Sequence, residues 1–326
     1  MSALRGKRVL VTGGLGFIGS NVARRCLELG AQVTIYDCLD PRSGGNMFNL
    51  HGVESEMELV VNDIRNFDGV CAAVRNKDIL VSCAAYTSHP NSMKDPLTDI
   101  DVNCKGVINL LEATRRFNAE MKIIHIGTST QIGRMRASPA DESHPEFPLD
   151  IYSANKTASE KYVLIYASAY KLRAGVVRLA NVFGPRSNIR SPDFGFMNYF
   201  IGLGLQGREI PVFGEGAQLR NISYVDDCVE AIIGASVSPK SDGEVLFAVA
   251  DRQHSVGEIA DAIARHVGGS VKRVPWPKER EVIEIGDALI SNARIREALD
   301  WRPVCDLAHG LVKTKEYFSA CLPKYL

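Results

Sequence analysis

Two residues four positions apart, Tyr152 and Lys156, are the side chains whose chemistry is easiest to name from this sequence. Residues at that spacing lie on the same face of a helix. A phenol loses its proton far above neutral pH, but a neighbouring ammonium stabilises the phenolate and lowers its pKa. The pair can then accept a proton from a hydroxyl while hydride leaves the carbon that carries it. The spacing alone is better explained by a solvated Tyr–Lys pair on a helix surface, so the surrounding elements decide between the two.

These elements alternate between short apolar runs and amphipathic stretches, a pattern typical of a parallel sheet covered by helices on both faces. The runs expected to be strands are Arg8–Gly13, Gln32–Asp37, Met57–Asp63, Asp78–Ala85, Lys122–Thr128, Ala174–Ala180, Ile210–Phe213 and Glu244–Ala250. The expected helices include Ser20–Leu29, Val102–Phe117, Tyr152–Tyr170, Phe196–Leu205 and Val256–Val267, and Phe183–Asp193 is expected to be a loop. The sequence therefore predicts an α/β fold with a doubly wound parallel sheet, in which Tyr152 follows the fifth strand.

The first expected strand runs directly into a glycine-rich turn, Thr12–Gly19 (TGGLGFIG), which opens the first helix. Glycines allow a tight turn and let the backbone approach a pyrophosphate closely. The free N–H groups at the helix N-terminus can then bind the phosphates. A tight turn without a ligand is the alternative, but the placement between strand and helix favours a dinucleotide. We expect contacts with it from Gly13, Gly16, Phe17, Ile18 and Gly19.

Asp37 ends the second expected strand, about 20 residues beyond the glycines, where dinucleotide-binding folds place an acidic residue. A carboxylate there accepts hydrogen bonds from both ribose hydroxyls and repels a 2′-phosphate. NAD is therefore favoured over NADP, although the cation Arg42 lies nearby. An ordinary turn residue at a strand end is the alternative explanation for Asp37.

The fifth expected strand ends in hydroxyl side chains, Thr128, Ser129 and Thr130. Hydroxyls at the carboxyl end of a strand can hydrogen-bond both a reacting oxygen and a phenol. A polar turn or a helix cap explains the same residues equally well unless Tyr152 and Lys156 lie beside them.

The composition limits the classes of partner. Lys plus Arg and Asp plus Glu both number 38, so no net charge attracts nucleic acid or an anionic membrane. No apolar stretch approaches the ~20 residues that span a bilayer, and the N-terminal segment has no signal-peptide pattern. The eight cysteines form no CxxC pair and the histidines do not cluster, so we expect neither disulfides nor a metal site. A reduced, soluble, cytoplasmic protein is the expectation.

Together, these motifs resemble the extended short-chain dehydrogenase/reductase family, specifically its nucleotide-sugar epimerase/dehydratase group of UDP-glucose 4-epimerase-like enzymes. The similarity covers nearly the whole chain. Further motifs that carry it are Asp63-Ile64, Cys83–Ala85, Asp95-Pro96, Asn103, Gly106, Asn109–Ala113, Arg178–Arg186, Gly214–Arg220, Tyr224–Asp227 and Leu299–Pro303.

The resemblance implies roles for individual residues. Thr128, Tyr152 and Lys156 form a catalytic triad in which Tyr152 is the base. Lys156 lowers the pKa of that base and holds the nicotinamide ribose, while Thr128 orients the sugar hydroxyl. The implied NAD contacts beyond those already named are Asp63, Ile64, Ala84, Ala85 and Asn103. The implied contacts with the sugar diphosphate are Arg220, Arg280 and Asn181. Residues expected to select the sugar include Ser88, Ser92, Phe194 and Phe196.

Departures from the family pattern bear on the reaction. The 4,6-dehydratases carry an Asp-Glu pair directly after the catalytic threonine, where this chain has Ser129 and Thr130. Dehydration is therefore disfavoured. The family's Tyr-Gly is Ile132-Gly133 here, and Asn221 replaces an aspartate. If a residue is missing from this segment rather than replaced, the catalytic hydroxyl is that of Ser129.

The implied function is an NAD-dependent epimerase of a nucleotide-diphosphate sugar, most often at C4, through a transient keto-sugar that takes the hydride back. A reductase, decarboxylase or dehydratase on the same scaffold is the alternative, and a non-catalytic dinucleotide-sensing protein is a more distant one. We expect residues 1–180 to form the NAD-binding Rossmann domain, with about 222–250 returning to its sheet. Residues 181–221 and 251–326 would form the nucleotide-sugar-binding lobe. The helices at Val102–Phe117 and Tyr152–Tyr170 would form the contact of a homodimer.

Overall fold

The computed structural model describes residues 3–277 and 286–326. The strands in these residues are β1 (Arg8–Thr12), β2 (Gln32–Asp37), β3 (Glu58–Val61), β4 (Ile79–Ser82), β5 (Lys122–Thr128), β6 (Ala174–Leu179), β7 (Asn181–Phe183), β8 (Glu209–Phe213), β9 (Leu219–Tyr224), β10 (Val245–Ala248), β11 (Gln253–Ser255) and β12 (Ser270–Val274). The α-helices are α1 (Phe17–Glu28), α2 (Phe67–Val74), α3 (His89–Lys94), α4 (Pro96–Ile100), α5 (Val107–Phe117), α6 (Ile151–Tyr170), α7 (Phe196–Leu205), α8 (Val225–Val237), α9 (Val256–His266), α10 (Ala293–Leu299) and α11 (Leu307–Cys321).

A seven-stranded parallel sheet organises the molecule, with the strand order β10-β6-β5-β4-β1-β2-β3. Val9 of β1 pairs with Val33 of β2 on one side and with Ile79 of β4 on the other. From β1 the sheet continues through β2 and β3 on one side and through β4, β5 and β6 on the other. The strand order therefore reverses direction between β1 and β4, and such a switch point leaves a crevice at the carboxyl ends of the strands, where ligands bind. The predicted doubly wound α/β sheet is confirmed.

Both faces of this sheet are buried. Val9 and Val11 of β1 lie in one apolar cluster, whereas Leu10 between them lies in a second cluster on the opposite face. Helices cover both faces, so successive residues of a strand enter different apolar layers. This double burial explains why the strands read as continuous apolar runs in the sequence.

Two helix boundaries differ from the prediction. The first helix begins at Phe17 rather than Ser20, because the glycine turn ends at Gly16, which occupies the N-cap position. The helix expected from Val102 begins instead with a π-helical segment, Asp101–Gly106, that leads into α5. Short π-helical segments are uncommon and occur frequently at functional sites.

Two small sheets flank the carboxyl edge of the main sheet. One has the order β11-β9-β7 and the other pairs β12 with β8. Asn181 in β7 pairs with Ile222 in β9, and Arg220 of β9 pairs with His254 of β11. The sequence does not predict β7, because three residues are too few for a periodic pattern.

The segment after α11 returns to the glycine turn. The Tyr325 hydroxyl donates a 2.6 Å hydrogen bond to Asn49 Oδ1, and Asn49 Nδ2 donates a 2.8 Å bond to the Leu15 carbonyl. The turn is thus held by a residue that lies far away in the sequence. In the described part of the chain, no helix is both long enough and apolar enough to cross a membrane.

Candidate active site

One cleft of ≈ 400 Å³ runs along the carboxyl ends of the central strands. It brings together residues from the glycine turn, from the ends of β2, β4 and β5, from α6 and from the small sheets. The sequence-predicted site residues that line it are Gly13, Gly16, Phe17, Ile18, Gly19, Asp37, Asp63, Ile64, Ala84, Ala85, Thr128, Tyr152, Lys156, Asn181 and Arg220. Arg280 lies outside the described residues.

The glycine turn has the shape of a pyrophosphate cradle. Gly13 has a positive φ of 65°, and a Cβ there would lie 2.7 Å from the Ala84 nitrogen. A Cβ at Gly19 would lie 2.2 Å from the Gly13 carbonyl oxygen. No side chain caps the N-terminus of α1, so its first N–H groups are left for a ligand. Bare backbone at the positive end of a helix fits the two phosphates of a dinucleotide.

Asp37 is held in place at the end of β2. Its Oδ2 accepts a 3.0 Å hydrogen bond from the Leu15 N–H, and its Oδ1 accepts a 2.9 Å bond from the Leu39 N–H. The carboxylate keeps lone pairs for ribose hydroxyls and repels a 2′-phosphate. The guanidinium of Arg42 forms an ion pair with Asp40, with Nη2 and Oδ2 2.9 Å apart. The charge of Arg42 is therefore already balanced, and the pocket fits NAD.

Asn103 lies behind the cleft wall rather than on its surface. Its Oδ1 accepts a 3.0 Å hydrogen bond from the Tyr86 N–H, and its Nδ2 donates a 2.9 Å bond to the Tyr86 carbonyl. The same Nδ2 lies 2.9 Å from Asp99 Oδ1. Asn103 thus positions the segment after β4. It does not line the described cleft, so it would act on a cofactor only through that segment.

Tyr152 and Thr128 meet at the junction of β5 and α6. Both side chains line the cleft, and the Tyr152 N–H donates a 3.1 Å bond to Ser92 Oγ. Burial raises the pKa of the Tyr152 phenol well above its usual range, and the nearby carboxylates of Asp99 and Asp150 act in the same direction. Thr128 acts to lower the pKa of the Tyr152 phenol. Lys156 is not among the groups that shift this pKa, so its lowering of the pKa of Tyr152 stays a prediction.

Lys156 is occupied by a different partner. Its Nζ lies 2.9 Å from Nε2 of His125, which is completely buried on β5. Burial lowers the pKa of Lys156 to about 8, and the charge of Glu160 opposes that shift. The ammonium donates to the imidazole, so its position is fixed by β5 and not by the phenol.

The segment after Thr128 is fixed by its own hydrogen bonds. The Thr128 N–H donates a 3.0 Å bond to Gln131 Oε1, and Gln131 Nε2 donates a 3.1 Å bond to Glu160. Glu160 in turn accepts a 2.7 Å bond from Arg178. This chain of contacts holds the Thr128 hydroxyl beside Tyr152, while Ser129 occupies the next turn.

Comparison with known proteins identifies the family to which this cleft belongs. The model of the NAD dependent epimerase/dehydratase family matches residues 9–247. The chain belongs to this family. NAD is accordingly its cofactor, in agreement with the glycine turn and Asp37.

Several relatives extend the similarity over the whole chain. UDP-glucose 4-epimerase of Mycolicibacterium smegmatis is 34% identical over 319 residues, which are 95% of this chain and 98% of the relative. UDP-glucuronic acid decarboxylase 1 of Xenopus tropicalis is 29% identical over 320 residues, which are 96% of this chain and 72% of the relative. The crystal structure of UDP-glucose 4-epimerase from Thermotoga maritima with UDP-glucose has a TM-score of 0.86 at 28% identity, and the match covers 97% of this chain and 99% of that one.

Polar and aromatic side chains lie together at the end of the cleft formed by the small sheets. Arg220 Nη1 donates a 2.6 Å hydrogen bond to the Gly286 carbonyl, and Asn181 Nδ2 donates a 3.4 Å bond to the Asn221 carbonyl. Phe194 and Phe196 line the cleft beside them.

Ser88 and Ser92, expected to select the sugar, are buried and bond to backbone instead. Ser88 Oγ accepts from the Asn91 N–H, and Ser92 Oγ accepts from the Tyr152 N–H. Both hydroxyls therefore support the local structure of the enzyme, and they do not line the described cleft.

The sequence did not indicate two histidines that lie beside Tyr152 and Lys156. His125 lies in an apolar strand, where a polar residue three positions before Thr128 is the only signal. His89 follows Ser88, and its ring packs edge-on against that of Tyr152 with centroids 4.9 Å apart. Its partner is Asp150, 61 residues away in the sequence, so no local pattern indicates the pair.

Proposed function

We propose that the chain is an NAD-dependent epimerase that inverts C4 of a nucleotide-diphosphate sugar through a transient keto-sugar. The observation that carries the proposal is that Thr128, Tyr152 and Lys156 line the same cleft as the glycine turn. The names of the relatives, UDP-glucose 4-epimerases among them, support the substrate class.

In this mechanism, Tyr152 accepts the proton of the sugar hydroxyl and Thr128 orients that hydroxyl. Bound NAD supplies the hydride acceptor and later the hydride donor. Tyr152 is buried, so its phenolate is costly to form unless a positive charge lies close to it. Lys156 would supply such a charge from the same face of α6, and it would also hold the nicotinamide ribose. Tyr152 returns the proton when the keto-sugar is reduced on its other face.

The remainder of the nucleotide sugar would lie along the small sheets. Arg220, Asn181 and, by resemblance, Arg280 hold the diphosphate through charge-assisted hydrogen bonds. Binding energy at this remote end keeps the keto-sugar in the cleft while it turns over. Net consumption of NAD is therefore not expected.

The hydroxyl residues after Thr128 favour epimerisation over the related reactions. Ser129 and Thr130 carry no carboxyl group to eliminate water from a keto-sugar. Decarboxylase relatives share the scaffold, so a UDP-glucuronate assay separates that alternative. A reductase would consume reduced cofactor in a fixed ratio to product. We also propose a cytoplasmic location, consistent with free thiols at all eight cysteines.

The test is incubation of the NAD-loaded enzyme with UDP-glucose, with UDP-galactose measured by NMR and NADH by absorbance. We expect UDP-galactose without net NADH. Tyr152→Phe should lower kcat by about 10²- to 10⁴-fold, the usual range for loss of a positioned acid–base group. Tyr162→Phe, on the same helix, is the matched control and should retain activity. Full turnover by Tyr152→Phe would show that the phenol does not transfer the proton.

A further inference from the structure

His89 and Asp150 form an oriented pair at the start of two helices. His89 is the first residue of α3, and its Nδ1 lies 2.7 Å from Asp150 Oδ2. Asp150 is the N-cap of α6, where its Oδ1 accepts a 2.8 Å hydrogen bond from the Ser153 N–H. The carboxylate that caps the catalytic helix therefore also holds the imidazole.

This contact fixes the tautomer of the imidazole. Burial acts to raise the pKa of Asp150, but the hydrogen bond and charge of His89 and the bonds from Ser153 outweigh it, so this pKa lies below its usual value. An ionised Asp150 accepts the proton on Nδ1 of His89. In the neutral ring, Nε2 is then a lone-pair acceptor, and no residue within 3–277 or 286–326 hydrogen-bonds it.

The imidazole stands beside the reacting group. The rings of His89 and Tyr152 meet edge to face, with centroids 4.9 Å apart at 80°. His89 lines the same cleft as Thr128, and its side chain is 36% exposed. Ser92 of α3 accepts the Tyr152 N–H, so both rings belong to one fixed unit. His89 is therefore the side chain next to Tyr152 on the wall of the cleft in which a sugar would lie.

The other side chains at this end of the cleft supply no equivalent group. Ser129 and Thr130 have no carboxyl group, and His125 is buried away from the cleft beside Lys156. Of the cleft-lining side chains near Tyr152 in the described residues, His89 is the one with an imidazole, whose Nε2 can accept a proton. Asp150 and Tyr152 are the ionisable groups that face it from α6.

We propose that His89, oriented by Asp150, is a second acid–base residue of the sugar pocket, which exchanges the proton on a carbon next to the transient keto carbon. The inference rests on the proposed function, because only oxidation of the sugar makes that carbon acidic. It adds an activity that the Tyr152–Lys156 pair does not have.

The step balances without a further reactant. Nε2 of His89 takes the proton, and the electron pair of the broken C–H bond forms the C=C bond of an enolate. The carbonyl electron pair moves onto oxygen, which accepts a hydrogen bond from the now neutral Tyr152 hydroxyl. Asp150 stabilises the imidazolium. Return of the proton, or of a solvent deuteron after exchange at the exposed ring, regenerates the ketone.

The experiment is epimerisation of UDP-glucose by the NAD-loaded enzyme in D₂O, followed by mass spectrometry and NMR of the sugar. Inversion at C4 by a returned hydride leaves no solvent deuterium on carbon, whereas exchange by His89 places it beside C4. We expect deuterium there with the wild type. In His89→Phe, the ratio of carbon-bound deuterium to epimerised product should fall at least about tenfold.

Two further variants separate the chemistry from the fold. Asp150→Asn keeps a good N-cap for α6 but removes the charge that stabilises the imidazolium, so the deuterium ratio should fall while the melting temperature is retained. His51→Phe, on an exposed histidine, should leave the ratio unchanged. Epimerised product without carbon-bound deuterium, or an unchanged ratio in His89→Phe, overturns the role of His89 and leaves the epimerase proposal standing. Absence of both product and deuterium overturns the epimerase proposal itself.

Discussion

Among single residues, Lys156 depends on the buried imidazole of His125 for its only short polar contact in the described residues. Nδ1 of His125 lies 3.2 Å from Ser82 Oγ and donates to it, so Nε2 is left to accept the ammonium. Burial, with a contribution from the charge of Lys156, holds the pKa of His125 well below its usual value. The imidazole is therefore a neutral acceptor at working pH.

Replacing His125 by Phe keeps a ring but removes the acceptor. The ammonium form of Lys156 loses its hydrogen bond, so the pKa of Lys156 should fall below its present value of about 8. In the proposed mechanism the protonated lysine is the active form, so the alkaline limb of the pH profile of kcat/KM should move toward acid by about one pH unit.

Ser82→Ala is the control for this prediction, because it removes the partner of Nδ1 and leaves Nε2 in place. It should move the limb less than His125→Phe does. A His125→Phe enzyme with normal melting temperature and an unmoved alkaline limb would contradict the role of the imidazole.

The residues that sequence alone predicts are those with partners close in the chain or with a fixed motif. Tyr152 and Lys156 are one helical turn apart, and Asp37 stands at a set distance from the glycines. His125 and His89 contact residues 31 and 61 positions away. Only the folded sheet brings those partners together, so no spacing rule could find them.

At the scale of elements, the glycine turn and α1 form one unit that leaves no room for a side chain. Ala at position 19 would place its Cβ 2.2 Å from the Gly13 carbonyl oxygen. That oxygen is backbone and cannot rotate away. Gly19→Ala should therefore lower NAD affinity at least about tenfold, as measured by fluorescence titration, although Ala favours helices by ~1 kcal/mol.

Gly234→Ala in α8 is the matched control. The nearest atom to its new Cβ would be Leu299 Cδ1 at 3.9 Å, an ordinary contact. The stability of this variant should then depend only on helix propensity, so it should bind NAD normally and have a slightly higher melting temperature. Equal NAD affinity in both variants would mean that the turn does not hold the phosphates.

The elements were predicted well where their pattern is long. Most strands of the main sheet are apolar runs buried on both faces, which a window of a few residues can recognise. The π-helical form of the segment Asp101–Gly106 could not be predicted, since its Asn103 side chain bonds the backbone of Tyr86, 17 residues earlier in the chain. Strand β7 depends on pairing with β9, which follows it by almost forty residues in the sequence.

At the scale of the whole molecule, α4 and α6 carry exposed apolar side chains. Leu97, Ile100 and Ile165 are 74%, 44% and 53% exposed. We propose that this face joins two copies of the chain. Ile165→Arg should convert a dimer into a monomer in sedimentation, because burying an unpaired charge is costly.

Val304→Arg provides the comparison for the dimer. Val304 is 89% exposed and lies after α10, in the C-terminal part of the chain. It should sediment as the wild type does. A wild-type enzyme that sediments as a monomer, or an unaffected Ile165→Arg variant, would refute a dimer through this face.

The hydrogen bonds from Tyr325 through Asn49 to Leu15 have a consequence for biosynthesis. Tyr325 is made 276 residues after Asn49, so a chain emerging from the ribosome lacks this hydrogen bond for most of translation. Its glycine turn is then held by nearer contacts such as that of Asp37 with Leu15. A stalled product ending near residue 180 contains the first six strands but lacks the hydrogen bond from Tyr325. Such fragments should bind NAD more weakly than the complete chain does, so most of the bound NAD should be on complete chains.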